Sequence, residues 1–133
     1  MILDTSFCVD LIRETAHGET GRARTKLASL QDTEMCISLF TLCELSAGVE
    51  LSRNPERERR KVEQMATFVT ILYPDEVFAL LYGEGEAYLR KRGIPIPVMD
   101  LLIGITALSA RMPLLTRDVE HYDRIPGLSI ETY

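Results

Sequence analysis

The hydrophobic positions change period several times along the chain. Met1, Ile2 and Leu3 form a short unbroken apolar run, the pattern of a strand buried on both faces. Asp4, Thr5 and Ser6 follow with side chains suited to capping a helix, and behind them Phe7, Cys8, Leu11 and Ile12 recur at helical spacing. The stretch His17-Gly18-Glu19-Thr20-Gly21 interrupts this helix before a second, more polar one expected to end near Leu30. Met35 to Leu39 is apolar and β-like. From about Thr41 to Leu51, Leu42, Leu45 and Val49 then mark a helix that carries Glu44.

The succession of strand and helix continues. Asn54-Pro55 is a helix start, with Asn as cap and Pro at the first position, and Val62, Met65, Ala66 and Val69 form the stripe behind it. Thr70 to Tyr73 reads as a strand ended by Pro74. Val77, Leu80, Leu81 and Tyr88 place a helix that runs to Arg92, with Gly83 and Gly85 weakening its middle. After the turn-rich segment from Gly93 to Pro97, Asp100 to Arg111 is an apolar helix with Asp100 in or near its first turn. Pro113 to Thr116 is a last compact strand, Arg117 to Tyr122 a short polar turn, and Leu128 to Ile130 an edge strand. The pattern predicts one α/β domain spanning residues 1–133, a three-layer α/β/α sandwich around a mainly parallel sheet.

Composition narrows the function. With 46% hydrophobic and 26% charged residues the chain resembles an ordinary water-soluble domain. Its longest apolar run, Leu101 to Ala110, is about half of the ~20 residues a membrane span needs. Met1-Ile2-Leu3 meets Asp4 at once, with no basic segment and no cleavable apolar segment, so the cytoplasm is the expected location and no membrane partner is expected. Cys8, Cys36 and Cys43 make an odd number without CxxC spacing and are expected to be reduced, half-buried packing residues. His17 and His121 are far apart, which points away from an imidazole-rich metal site and toward a hard cation bound by oxygen.

The parallel sheet gives the carboxylates their significance. Asp4 follows the first strand and Asp118 lies two residues past Thr116, so both should emerge at one sheet edge. Glu44 sits one or two turns into the helix after the second strand and Asp100 at the start of its own, so both can lean over the same edge. Glu44 stands between Leu42 and Leu45, where an unpaired acid would be costly to bury. Carboxylates gathered this way repel unless they share a cation, and Mg²⁺ or Mn²⁺ suits an all-oxygen site. The net charge is −5, and without these four acids it is −1, so a bound cation would let the edge tolerate a polyanion. Singly, each acid has a plainer reading: Asp4 and Asp100 as helix caps, Asp118 as the start of an Asx-turn.

Four segments then point to a family. M-I-L-D-T-S-F at the start, T-L-C-E-L-S-A-G around Glu44, P-V-M-D-L-L-I-G-I-T-A-L around Asp100 and L-L-T-R-D-V-E-H-Y near the end together resemble a PIN domain, specifically the VapC-type toxins of bacterial and archaeal toxin–antitoxin pairs. The resemblance spans essentially the whole chain. It implies a Rossmann-like sandwich and a Mg²⁺- or Mn²⁺-dependent endoribonuclease with Asp4, Glu44, Asp100 and Asp118 as its acidic cluster and Ser6 and Thr116 as supporting hydroxyls. It also implies an RNA substrate, a small antitoxin as partner and a homodimer. Two residues depart from the pattern: Pro97 stands where a small residue is frequent, and Tyr122 where phenylalanine is usual.

Other features have competing readings. Arg53, Arg57, Arg59, Arg60 and Lys61 are interleaved with Glu56, Glu58 and Glu63, the pattern of a solvated helix face. Arg117, beside Asp118, is the better candidate for touching RNA. His121 could act as a general acid, and Glu84 could line the cleft or stand exposed. An aspartyl-phosphate phosphatase would want a second aspartate where Ser6 stands. A non-enzymatic binding module would use the acids only as caps.

Overall fold

The computed structural model describes residues 1–133. In chain order the elements are β1 (Ile2–Leu3), α1 (Thr5–His17), α2 (Arg22–Ser29), β2 (Cys36–Ser38), α3 (Leu39–Glu50), α4 (Pro55–Ala66), β3 (Thr70–Leu72), α5 (Phe78–Lys91), α6 (Val98–Ala110), β4 (Leu114–Leu115), α7 (Val119–Tyr122) and β5 (Ile130–Glu131). The sheet has the order β3-β2-β1-β4-β5, and every neighbouring pair is parallel. No helix is long and apolar enough to cross a membrane.

Strands of two or three residues suffice because each sends successive side chains to opposite layers. Ile2, Cys36 and Leu114 join one apolar cluster, and Leu3, Ile37 and Leu115 join the other. The first is closed by Phe78 and Leu89 of α5, Leu101 and Ile105 of α6, and Tyr122 of α7. The second is closed by Phe7 and Leu11 of α1, Leu45 of α3 and Met65 of α4. A sheet buried on both faces explains why the strands read as continuous apolar runs rather than alternating ones.

Several local expectations are corrected. Strand β2 ends at Ser38, whose hydroxyl accepts from Thr41 N, so α3 begins at Leu39 rather than at Thr41. Helix α4 stops at Ala66, and Val69 packs on the second cluster from beyond it. Gly83 and Gly85 leave α5 continuous; a Cβ at Gly85 would come 3.2 Å from Ile105 Cδ1, so glycine there lets α5 lie close against α6. The expected turn at residues 117–122 contains the short helix α7. A Cβ at Gly104 would collide with Ile125 Cδ1, and glycine at this place admits the segment after α7. The last strand is Ile130–Glu131, displaced from Leu128, which packs on the first cluster instead. Cys8 and Cys36 are fully buried and Cys43 is exposed, so none is half-buried.

Both helix punctuation signals are as expected at Gly18, a left-handed cap at φ 65°, and at Asn54, whose side chain accepts from Arg57 N. Arg111 ends α6 at φ 53° and is the one non-glycine residue with positive φ. A side chain with a Cβ is strained there. Arg111 is exposed. Replacing Arg111 with Gly is therefore expected to stabilise the protein by about 0.5–1 kcal/mol, read as a higher midpoint in urea unfolding; an unchanged or lower midpoint would refute strain at this cap.

Candidate functional site

The strand order reverses at β1, with β2 on one side and β4 on the other. Open parallel sheets leave a crevice there, beyond the carboxyl ends of the strands. Asp4 leaves β1 into it, its N–H donating to Leu115 O at 3.0 Å, and Thr116 leaves β4 beside it.

Asp4 has the backbone place of a helix cap, yet its side chain makes no capping bond. The carboxylate turns inward and is only 5% exposed. Oδ2 accepts from Ser6 Oγ and from Thr116 Oγ1, each at 2.7 Å, and Oδ1 accepts from Tyr122 Oη at 2.8 Å. Three donors from three segments satisfy the buried acid and fix its plane. Thr116 Oγ1 also accepts from Asp118 N at 2.9 Å, so one hydroxyl links two acids.

Asp100 is not a cap either. Pro97 holds that place at α6 and makes no side-chain cap bond, which puts Asp100 in the first turn with its carboxylate free for the crevice. Asp118 does cap its helix: Oδ1 accepts from His121 N, while Oδ2 lies 2.7 Å from His121 Nδ1. The same Nδ1 is 3.1 Å from Asp100 Oδ2. Ligand-capable atoms of Asp100, Asp118 and His121 all lie within 4.8 Å of one another.

Glu44 reaches this edge for a different reason from the one its neighbours suggested. The buried residues of α3 are Thr41, Leu45 and Val49, and Glu44 sits half-buried at their margin. Its Oε2 accepts from Thr5 Oγ1 at 2.5 Å. A groove of about 350 Å³ between α1, α3 and α4, lined by Val9, Ile12, Val49 and Val62 among others, ends at Thr5 and Glu44.

The electrostatics tie the four acids together. Burial first, and then the charges of Asp4, Asp118 and Glu44 with His121 partly opposing them, push the Asp100 carboxyl from 3.8 up to about 6. Burial and the Asp4 carboxylate push the Tyr122 phenol far above its ordinary range, so it remains a donor. An oxygen-rich edge on which an acid keeps its proton to about pH 6 has the donor chemistry and the unmet charge that a divalent cation resolves.

Other candidates are placed elsewhere. Arg117 Nη1 is 2.6 Å from Asp10 Oδ2, so the guanidinium expected to touch RNA is committed to an intramolecular ion pair. Asp10 is buried, and it also accepts from Tyr133 Oη at 2.9 Å and has Arg13 Nη2 at 2.9 Å, a charge contact outside hydrogen-bond alignment. Arg57, Arg59, Arg60 and Lys61 pair with glutamates of α3 and α4, as a solvated face does. Glu84 stands exposed on α5. Sequence reasoning noted Tyr122 without giving it a role at the site and did not place His121 beside Asp100 and Asp118. Their signal was the spacing of 118, 121 and 122, which shares one face only if that segment is helical, and the hydroxyl at a place where phenylalanine is usual.

The PIN domain family profile matches residues 1–128. A curated relative from Salmonella typhimurium, tRNA(fMet)-specific endonuclease VapC, is 33% identical over 132 residues, covering 99% of this chain and 96% of the relative. Ribonuclease VapC1 from Haemophilus influenzae is 36% identical over 99 residues, 74% of each chain. Among solved structures, VapBC2 from Rickettsia felis bound to a promoter DNA fragment superposes with a TM-score of 0.90 at 27% identity, covering 99% of this chain and 97% of the other. Match length, fold and the crevice at the reversal of strand order agree, and the chain belongs to the PIN-domain family, alongside the VapC ribonucleases.

Proposed function

We propose that this chain is a divalent-metal-dependent endoribonuclease, the toxin of a toxin–antitoxin pair, that hydrolyses RNA phosphodiester bonds at the acidic edge. The observation that carries this reading is the convergence of Asp4, Glu44, Asp100 and Asp118 on one crevice, where burial and the other three carboxylates keep a proton on Asp100 to about pH 6. The names of the VapC relatives support the ribonuclease class, and the VapBC complexes among the structural neighbours support a small antitoxin partner.

Asp4 and Asp100 would hold Mg²⁺ or Mn²⁺ directly, with Glu44 close behind and Asp118 acting through water. Such a cation lowers the pKa of a bound water and offsets charge on the phosphoryl group during in-line attack. Ser6, Thr116 and Tyr122 keep Asp4 in one orientation, and Thr5 does the same for Glu44. The groove ending at Glu44 is the surface we assign to the antitoxin, since an apolar segment seated there would sit beside the acids. A homodimer and a cytoplasmic location complete the proposal.

Asp4→Asn and Asp100→Asn are each expected to lower Mg²⁺-dependent RNA cleavage by about a hundredfold or more, with circular dichroism unchanged. Sequencing RNA ends after brief expression of the intact protein and of Asp4→Asn gives the cut sites. A folded, fully active Asp100→Asn protein would overturn the assignment and leave a binding module whose acids serve as structural residues.

Asp100→Asn also separates function from stability. The folded chain keeps the Asp100 proton up to about 6, whereas the unfolded chain releases it near 3.8. The folded state therefore binds more protons between those values, and the metal-free protein loses stability as pH rises through them, carrying the whole penalty above pH 6. In chelator at pH 7.5 the variant is expected to be more stable than the parent by about 1 kcal/mol after allowance for solvent screening. That gain should shrink toward pH 4 in thermal melts. A variant that melts lower at pH 7.5 would contradict the repulsion.

A further inference from the structure

The tightest group at the crevice contains one side chain that is not an acid. His121 Nδ1 lies between the carboxylates of Asp118 and Asp100, at 2.7 Å and 3.1 Å. Every other side chain described at this edge, from Asp4, Thr5, Ser6, Glu44 and Thr116 to Tyr122, offers oxygen alone.

The ring is held by its neighbours on both sides. Three residues before it, Asp118 is tied to Thr116 Oγ1 through its N–H and to His121 N through its own carboxylate. One residue after it, Tyr122 is anchored on Asp4. Backbone positions 118 to 122 are thus fixed at two points, and only the two torsions of a half-buried side chain set where the imidazole sits. That is the preorganisation expected of a ligand.

Resting on the metal-dependent reading above, we propose that His121 is itself a metal ligand through Nδ1, making the centre a mixed nitrogen–oxygen site that favours Mn²⁺ over Mg²⁺. Mn²⁺, though it too favours carboxylate and water, is a first-row transition ion and accepts an imidazole nitrogen more readily than Mg²⁺, which binds oxygen and parts reluctantly with its waters. An all-carboxylate site has little means of separating the two ions. One nitrogen donor beside Asp100 and Asp118 supplies it. The competing role is a place-holder, in which His121 bridges two acids while no cation is bound and withdraws when one arrives.

The two roles differ in a spectroscopic signature. The full chain, stripped with chelator and loaded with Mn²⁺, is examined by electron spin echo envelope modulation, and Mn²⁺ and competing Mg²⁺ affinities are measured for the parent, His121→Gln and Asp100→Asn. A ligand role predicts ¹⁴N modulation in the parent and none in His121→Gln. It also predicts a loss of about tenfold in Mn²⁺ affinity in that variant, with Mg²⁺ affinity changed less than about threefold. Absence of ¹⁴N coupling in the loaded parent overturns the proposal whether or not the variant folds, and so do equal losses for both ions. If the parent binds Mn²⁺ and Asp100→Asn does not, the metal-dependent reading stands even where His121 fails. If the parent binds no Mn²⁺, that reading fails first and this inference falls with it.

Discussion

A carboxylate buried at the carboxyl end of the central strand has to be satisfied, and the arrangement around Asp4 follows from that requirement. Leaving such a group without partners would cost several kcal/mol. Three hydroxyls supply them, and they come from α1, from the end of β4 and from α7. The same bonds therefore fix how the loop after β4 and the helix that follows it sit against β1. Through Thr116, whose hydroxyl donates to Asp4 and accepts from Asp118 N, the constraint passes on to the next acid.

Neutral donors orient a charge without cancelling it. The Asp4 carboxylate adds to the burial that raises Asp100, with Asp118 and Glu44 acting in the same direction, and His121 is the one nearby group that opposes them. The crevice is thus a place where the fold works against itself. The two apolar clusters on either face of the sheet provide the stability that tolerates it.

The positive charge beside the acids is held apart from them. Arg117 immediately precedes Asp118, yet its guanidinium is drawn to the buried Asp10, where Tyr133 also donates. Tyr133 in turn packs edge-on against Phe7, with ring centroids 4.8 Å apart. The last residue of the chain and the first turns of α1 thereby brace the β4–α7 loop from behind. An arginine adjacent in sequence to a catalytic candidate can serve to position it and still leave the crevice negative.

Much of this was legible in the linear pattern. Continuous apolar runs at Ile2, Cys36 and Leu114 identify doubly buried strands, helical periodicity identifies α1, α3 and α6, and strand followed by acid places Asp4 at an edge. Glu44 was found for an imperfect reason, since its apolar neighbours in sequence do not surround it in space. What stayed hidden depends on pairs far apart in the chain. Tyr122 meets Asp4, His121 meets Asp100, and Arg117 turns to Asp10 because the order of the strands brings those segments together. Periodicity along a chain reports which face of an element is buried, and so determined the layers and the candidate acids. Which side chains share a hydrogen bond across the crevice is set by packing between elements, and only the tertiary structure decided it.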